Sequence, residues 1–168
     1  MVYYRRIHSD NPDDVFFLTL AMQDRIPHFQ TRDDYSRLWK SIQTPIEMAT
    51  AELIAWVFLP DHLHLLLRQG TTSYSRTVQR MKANVNRVFL PERGSLWQPR
   101  FWEHRIRNTE DMNRHIASIH YNPVKHGHCK RPFDWPYSSF RRFVERGFFP
   151  KNWSDSTAYN YTPITGEP

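Results

Sequence analysis

Two histidines at alternate positions, His62 and His64 in the run DHLHLLLR, are the residues whose type and spacing point most directly to chemistry. Residues two apart on a β-strand face the same way. In an extended segment the two imidazoles therefore stand side by side, roughly 6–7 Å apart at Cα. Both rings can then converge on one ion, and imidazole suits several divalent metals. The same face would carry Leu66 and Arg68, while Leu63, Leu65 and Leu67 line the other. A chain with nine histidines also produces such pairs by chance, so a third ligand has to come from elsewhere.

The segment HIASIHYNP, residues 115–123, offers one. On a helix, positions three and four apart are neighbours. Met112, Ile116 and Ile119 then form an apolar stripe for the core, with Arg114, Ser118, Tyr121 and Asn122 broadly on the other side. The hydroxyl at 118 lies next to the amide at 122. Asn122 either ends the helix ahead of Pro123 or supplies a hard oxygen ligand.

The elements that would position these groups follow from periodicity and turn residues. FFLTLAM (16–22) is a first strand, and a helix from Asp33 to about Thr44 carries Tyr35, Leu38, Trp39 and Ile42 at helical spacing. LIAWVFL (53–59), a Pro60-Asp61 turn and residues 62–69 make a hairpin. Residues 75–90 form an amphipathic helix with basic residues on its solvated side, and Phe101-Trp102 begins a last strand running to Arg107. A final helix, with Thr109 as its cap, runs to about Tyr121. Strand, helix, hairpin, helix, strand, helix predicts an α+β fold with helices packed on an antiparallel sheet. Residues 1–150 make one domain and 151–168 a C-terminal tail.

Composition bounds the function. The 168 residues carry a net charge of +6, with a pI near 9.7, and a basic surface favours a polyanion such as nucleic acid. Aromatics make up 15% of the chain, more than a disordered one carries. A single cysteine, Cys129, excludes an internal disulfide and a cysteine-based zinc cluster. With no apolar signal core and no run near the ~20 apolar residues of a membrane span, a cytoplasmic protein is expected.

Several stretches together resemble the REP-associated tyrosine transposases of the HUH nuclease class. They are Tyr4-Arg5-Arg6, WVFLPDHLHLL (56–66), LWQPRFWEHRIRNTED (96–111), IHYNPVKHG (119–127) and DWPYSSF (134–140), in the same order and over most of the chain. The resemblance implies a ferredoxin-like or RRM-like domain with the His-x-His motif on a central strand. It implies that His62 and His64 bind Mg²⁺ or Mn²⁺, with Asn122 as third ligand. It implies single-stranded DNA cleavage at REP hairpins through a 5′-phosphotyrosine link. Members of this branch are read as monomers. The family's nucleophile is a tyrosine four residues before the asparagine, and here that position is Ser118.

That departure predicts impaired cleavage. A phenol of pKa ~10 is both a workable nucleophile and a leaving group, whereas a serine hydroxyl is shorter and far less acidic. A misplacement of about 1 Å can cost ~100-fold. Tyr121, the second tyrosine of the pattern, is a substitute only if the helix tilts or the DNA is shifted. For the DNA, the expected contacts are Arg5, Arg6, Arg100, Arg105, Arg107, Lys125 and Arg131, with Trp97, Phe101 and Trp102 stacking on bases or shaping the site. Three other functions fit less of the pattern. A hairpin-binding module would keep the scaffold without the nucleophile. An RRM-like RNA binder would need aromatics on the sheet. A hydrolase would need a carboxylate by the histidines, and Asp61 is expected to point away from them.

Overall fold

The computed structural model of the chain describes residues 6–90, 92 and 94–154. The chain forms β1 (Val15–Ala21), α1 (Arg32–Met48), β2 (Glu52–Phe58), β3 (His62–Arg68), α2 (Tyr74–Phe89), β4 (Trp102–Arg105), α3 (Thr109–Lys125) and the short α4 (Phe140–Glu145). All neighbouring strands pair antiparallel in the order β2-β3-β1-β4. The order of elements through β4 is the βαββαβ arrangement of ferredoxin-like domains, as the sequence predicts.

Alternation along the strands sorts the core into two layers. Phe16, Leu18, Leu20, Leu63, Leu65 and Leu67 turn to one side and pack with buried residues of α1 and α2. Val15, Phe17 and Leu66 turn to the other, where Ile119 of α3 meets them. With helices on both sides, the described sheet has no open face on which bases could stack as on an RRM.

Local sequence sets the helix starts. Thr31 and Asp34 form a reciprocal capping box ahead of α1, and Ser73 caps α2. The cap of α3 is Asn108, whose side chain accepts the Asp111 N–H at 2.8 Å, not Thr109. α3 also continues through Pro123 to Lys125 instead of stopping near Tyr121. The residues lining its inner side correct the sequence reading too. Asp111, His115, Ser118, Ile119 and Asn122 are buried, whereas Met112 and Ile116 are only partly so.

DWPYSSF closes the free edge of β2. Ser139 donates its backbone N–H to the Trp56 carbonyl at 2.9 Å and accepts the Trp56 N–H on Oγ. His120 of α3 reaches the same hydroxyl at 2.8 Å. The packing runs beyond residue 150, since Trp153 is buried against Phe140 and Phe149. Among the described residues, no helix is long and apolar enough to cross a membrane.

Candidate active site

His62 opens β3 and His64 follows on the same face, their ring centroids 4.9 Å apart. Both are almost fully buried. His64 sits opposite Thr19 of β1, and its Nδ1 lies 2.9 Å from the Thr19 hydroxyl. Its Nε2 is buried without a hydrogen-bond partner. Burial holds His64 well below the usual imidazole range, and the charges of His62, His126, Lys125 and Arg25 push the same way. It is therefore neutral at pH 7, and in the tautomer that donates Nδ1–H to Thr19 the lone pair is on Nε2.

His62 is braced differently. Its Nδ1 lies 2.7 Å from Asp61 Oδ1, so the ring donates there and Nε2 is the nitrogen that this bond leaves unused. Asp61 does not point away, because it belongs to the turn and is free of strand alternation. Burial pushes its pKa up, but the His62 hydrogen bond and the nearby charges of His62 and Arg25 outweigh this and lower it. Imidazoles held through one nitrogen by oxygen are the usual supports of metal-binding histidines.

Asn122 is the expected third ligand. One turn further along α3, His126 meets His62 edge-on at 5.0 Å between centroids, so this part of the helix faces the start of β3. Asn122 is 1% exposed, and neither its Oδ1 nor its Nδ2 has a hydrogen-bond partner. A buried amide with both ends unpaired is costly. Together with the unpaired His64 Nε2, its donor set fits a divalent cation taking nitrogen and oxygen ligands.

Ser118 lies one turn before Asn122 and is 1% exposed. The residue is buried, although periodicity set it on the side of the helix opposite the apolar stripe. Tyr121 is turned toward α4 instead, against Trp153 at 5.8 Å between centroids, so it does not share the side of Ser118.

The residues expected to contact DNA divide. Trp97 and Phe101 belong to the core beneath α2, which corrects their assignment as stacking groups. Trp97 Nε1 donates to the Lys82 carbonyl, and the Arg6 guanidinium sits 4.2 Å over Phe101 while bonding Ser75. Trp102 stands opposite Thr19, in the row that holds His64, and its Nε1 is buried and unpaired. Lys125 is exposed at the end of α3 and its charge reaches His64. Arg100 is exposed, Arg105 pairs with Asp14, and Arg131 pairs with Asp134. Arg5 lies outside the described residues.

A second polar cluster went unnoticed in the sequence. His104, Asp111 and His115 bring one ligand atom each within 4.8 Å of one another. The Asp111 carboxylate, however, already receives Arg114 and His104 at 2.8 Å each and the Arg107 backbone N–H at 3.0 Å. Burial alone would raise its pKa, but the bonds from His104, Arg114 and Arg107 hold it far below the usual carboxylate range. A cation would have to displace these donors, so the cluster reads as a latch between β4 and α3. The only early signal was an aspartate and a histidine four apart at a helix start, Asp111 and His115.

Comparison with known proteins places this geometry in context. A family model described as IS200-like transposase matches residues 16–118. A REP-associated tyrosine transposase of Escherichia coli K12 is 36% identical over 92% of this chain and 92% of its own length. A Haemophilus influenzae relative is 36% identical over 91% of this chain and 93% of its own. The solved structure of a REP-associated tyrosine transposase bound to a REP hairpin superposes with a TM-score of 0.84. It is 34% identical and covers 98% of this chain and 96% of that one.

Proposed function

This chain belongs to the IS200-like transposase family, among the REP-associated tyrosine transposases, and from that premise we propose that it binds single-stranded REP hairpins at a divalent-metal centre formed by His62, His64 and Asn122. The observation that supports the reading is a pair of braced imidazoles on one strand face and, one turn before the His126 that meets His62, a buried amide left unpaired at both ends. A bound Mg²⁺ or Mn²⁺ would polarise and place a phosphate there. Asp61 and Thr19 set the ring orientations, and Lys125 adds positive charge at the rim.

Ser118 occupies the nucleophile position, so covalent cleavage is impaired. Its hydroxyl is short, weakly acidic and enclosed. That same enclosure favours a second reading, in which the chain binds hairpins on a scaffold that no longer cuts. The decisive measurement incubates the protein and Ser118→Tyr with Mn²⁺ and end-labelled REP hairpins from the source genome. Strand scission and a denaturation-resistant adduct are scored, with hairpin binding and thermal melting as controls for the larger side chain. Cleavage by Ser118→Tyr alone, at least ~100-fold above the parent, is expected. Cleavage by the parent chain would overturn the impaired reading. Binding without cleavage by a folded Ser118→Tyr would favour the module.

A further inference from the structure

The turn after β1 holds two consecutive non-glycine residues in the left-handed region, Asp24 at φ 54° and Arg25 at φ 55°. Such backbone persists only where the surroundings hold it. Here Met22 N–H donates to the Asp61 carbonyl at 2.8 Å, Gln23 N–H to the Leu96 carbonyl at 2.7 Å, and Phe29 N–H to the Pro60 carbonyl at 3.1 Å. The strained turn is thus pinned to the β2–β3 turn, immediately before His62.

The strain places one side chain. Arg25 Nε lies 3.0 Å from Asp61 Oδ2, while the other oxygen of Asp61 holds His62. Arg25 Nη1 is buried without a hydrogen-bond partner, yet the side chain as a whole remains 32% exposed. Its charge also reaches His64 and His126. A guanidinium has five donors in a rigid fork that matches phosphate oxygens. An unpaired donor on a permanent cation calls for an acceptor that the protein does not supply.

We infer that Arg25 is a phosphate ligand, receiving a phosphodiester of single-stranded DNA beside His62 and His64 while Asp61 braces both Arg25 and His62. The inference rests on the proposal that this site handles DNA. It assigns a task to a residue that lies outside every sequence stretch used above to recognise the family.

The test uses the full chain and the dinucleotide thymidylyl-(3′→5′)-thymidine as a minimal phosphodiester, titrated by NMR with Mg²⁺ and, separately, with EDTA. The Arg25 Nε–H resonance is identified by its loss in Arg25→Gln. The dinucleotide should shift that resonance, and Arg25→Gln should weaken its affinity about tenfold, with Arg25→Lys between. An uncharged methylphosphonate analogue should bind parent and Arg25→Gln equally. Mn²⁺ affinity without dinucleotide, read by EPR, should stay within about twofold in Arg25→Gln, since Asp61 still holds His62. Loss of Mn²⁺ affinity in Arg25→Gln would reduce Arg25 to a brace for Asp61 and overturn the inference. So would unchanged dinucleotide affinity, an equal loss on the methylphosphonate, or no dinucleotide binding by the parent. If the parent holds no Mn²⁺, the metal reading fails separately, and the EDTA titration still decides Arg25.

Discussion

The two ends of α3 carry similar side chains and treat them in opposite ways. At its start, Asp111 is saturated by Arg114, His104 and Arg107, and His115 donates Nδ1–H to the Asp111 carbonyl at 2.7 Å. At its end, Asn122 is unpaired at both polar atoms, one turn before His126, whose ring meets His62 at the start of β3. The first end commits its carboxylate fully to the fold, with only His115 Nε2 left unpaired, and the second leaves both atoms of its amide open.

Breaking the open end should give the largest functional effect. His64→Ala should lower Mn²⁺ affinity by more than ~100-fold, because it removes a ligand where second-layer changes already cost 10–100-fold. Titration calorimetry reads this, and an unchanged affinity would place the metal elsewhere. At the saturated end the effect should fall on stability. Asp111→Ala removes the buried acceptor that ties Arg114, His104 and the Arg107 backbone N–H together and should cost about 2 kcal/mol in denaturant unfolding. The remaining folded protein should keep Mn²⁺ affinity within twofold, and a large loss of metal would merge the two ends into one site.

Acid should test the middle of the helix. Burial pushes His120 down to about 3, with the Arg142 charge adding to it, whereas an unfolded histidine titrates near 6.5. Between those values the unfolded chain binds more protons, so the stabilisation is complete above about 6.5 and is lost as pH falls toward 3. At pH 5 the loss should be about 2 kcal/mol, measurable as a lower denaturation midpoint that His120→Gln removes. The smallest effect should come from Asp61→Asn, which keeps the turn but weakens the His62 brace. Mn²⁺ affinity should fall about tenfold, and no change would separate Asp61 from the metal.

Much of this was legible in the chain. Alternation on residues 62–68 sets His62, His64 and Leu66 on one face, and the structure places Leu66 in the α3-side core as that requires. The hairpin, the order of elements and the neighbourhood of Ser118 with Asn122 follow from local spacing. The inner face of α3 did not, because an apolar stripe is the usual guide to burial and this helix buries polar residues instead. Those residues are tolerated where β1, β3 and β4 present Thr19, His64 and His104 to them.

The sequence by itself determined periodicities, and with them the strands, the helices and the pairing of the two histidines on one face. Only the tertiary structure decided that Asp61 turns back to His62, that Trp97 and Phe101 are core, that Ser118 is enclosed, and that Arg25 reaches the site from a strained turn. Each of those depends on contacts between segments far apart in the chain, and local backbone geometry carries no information about them.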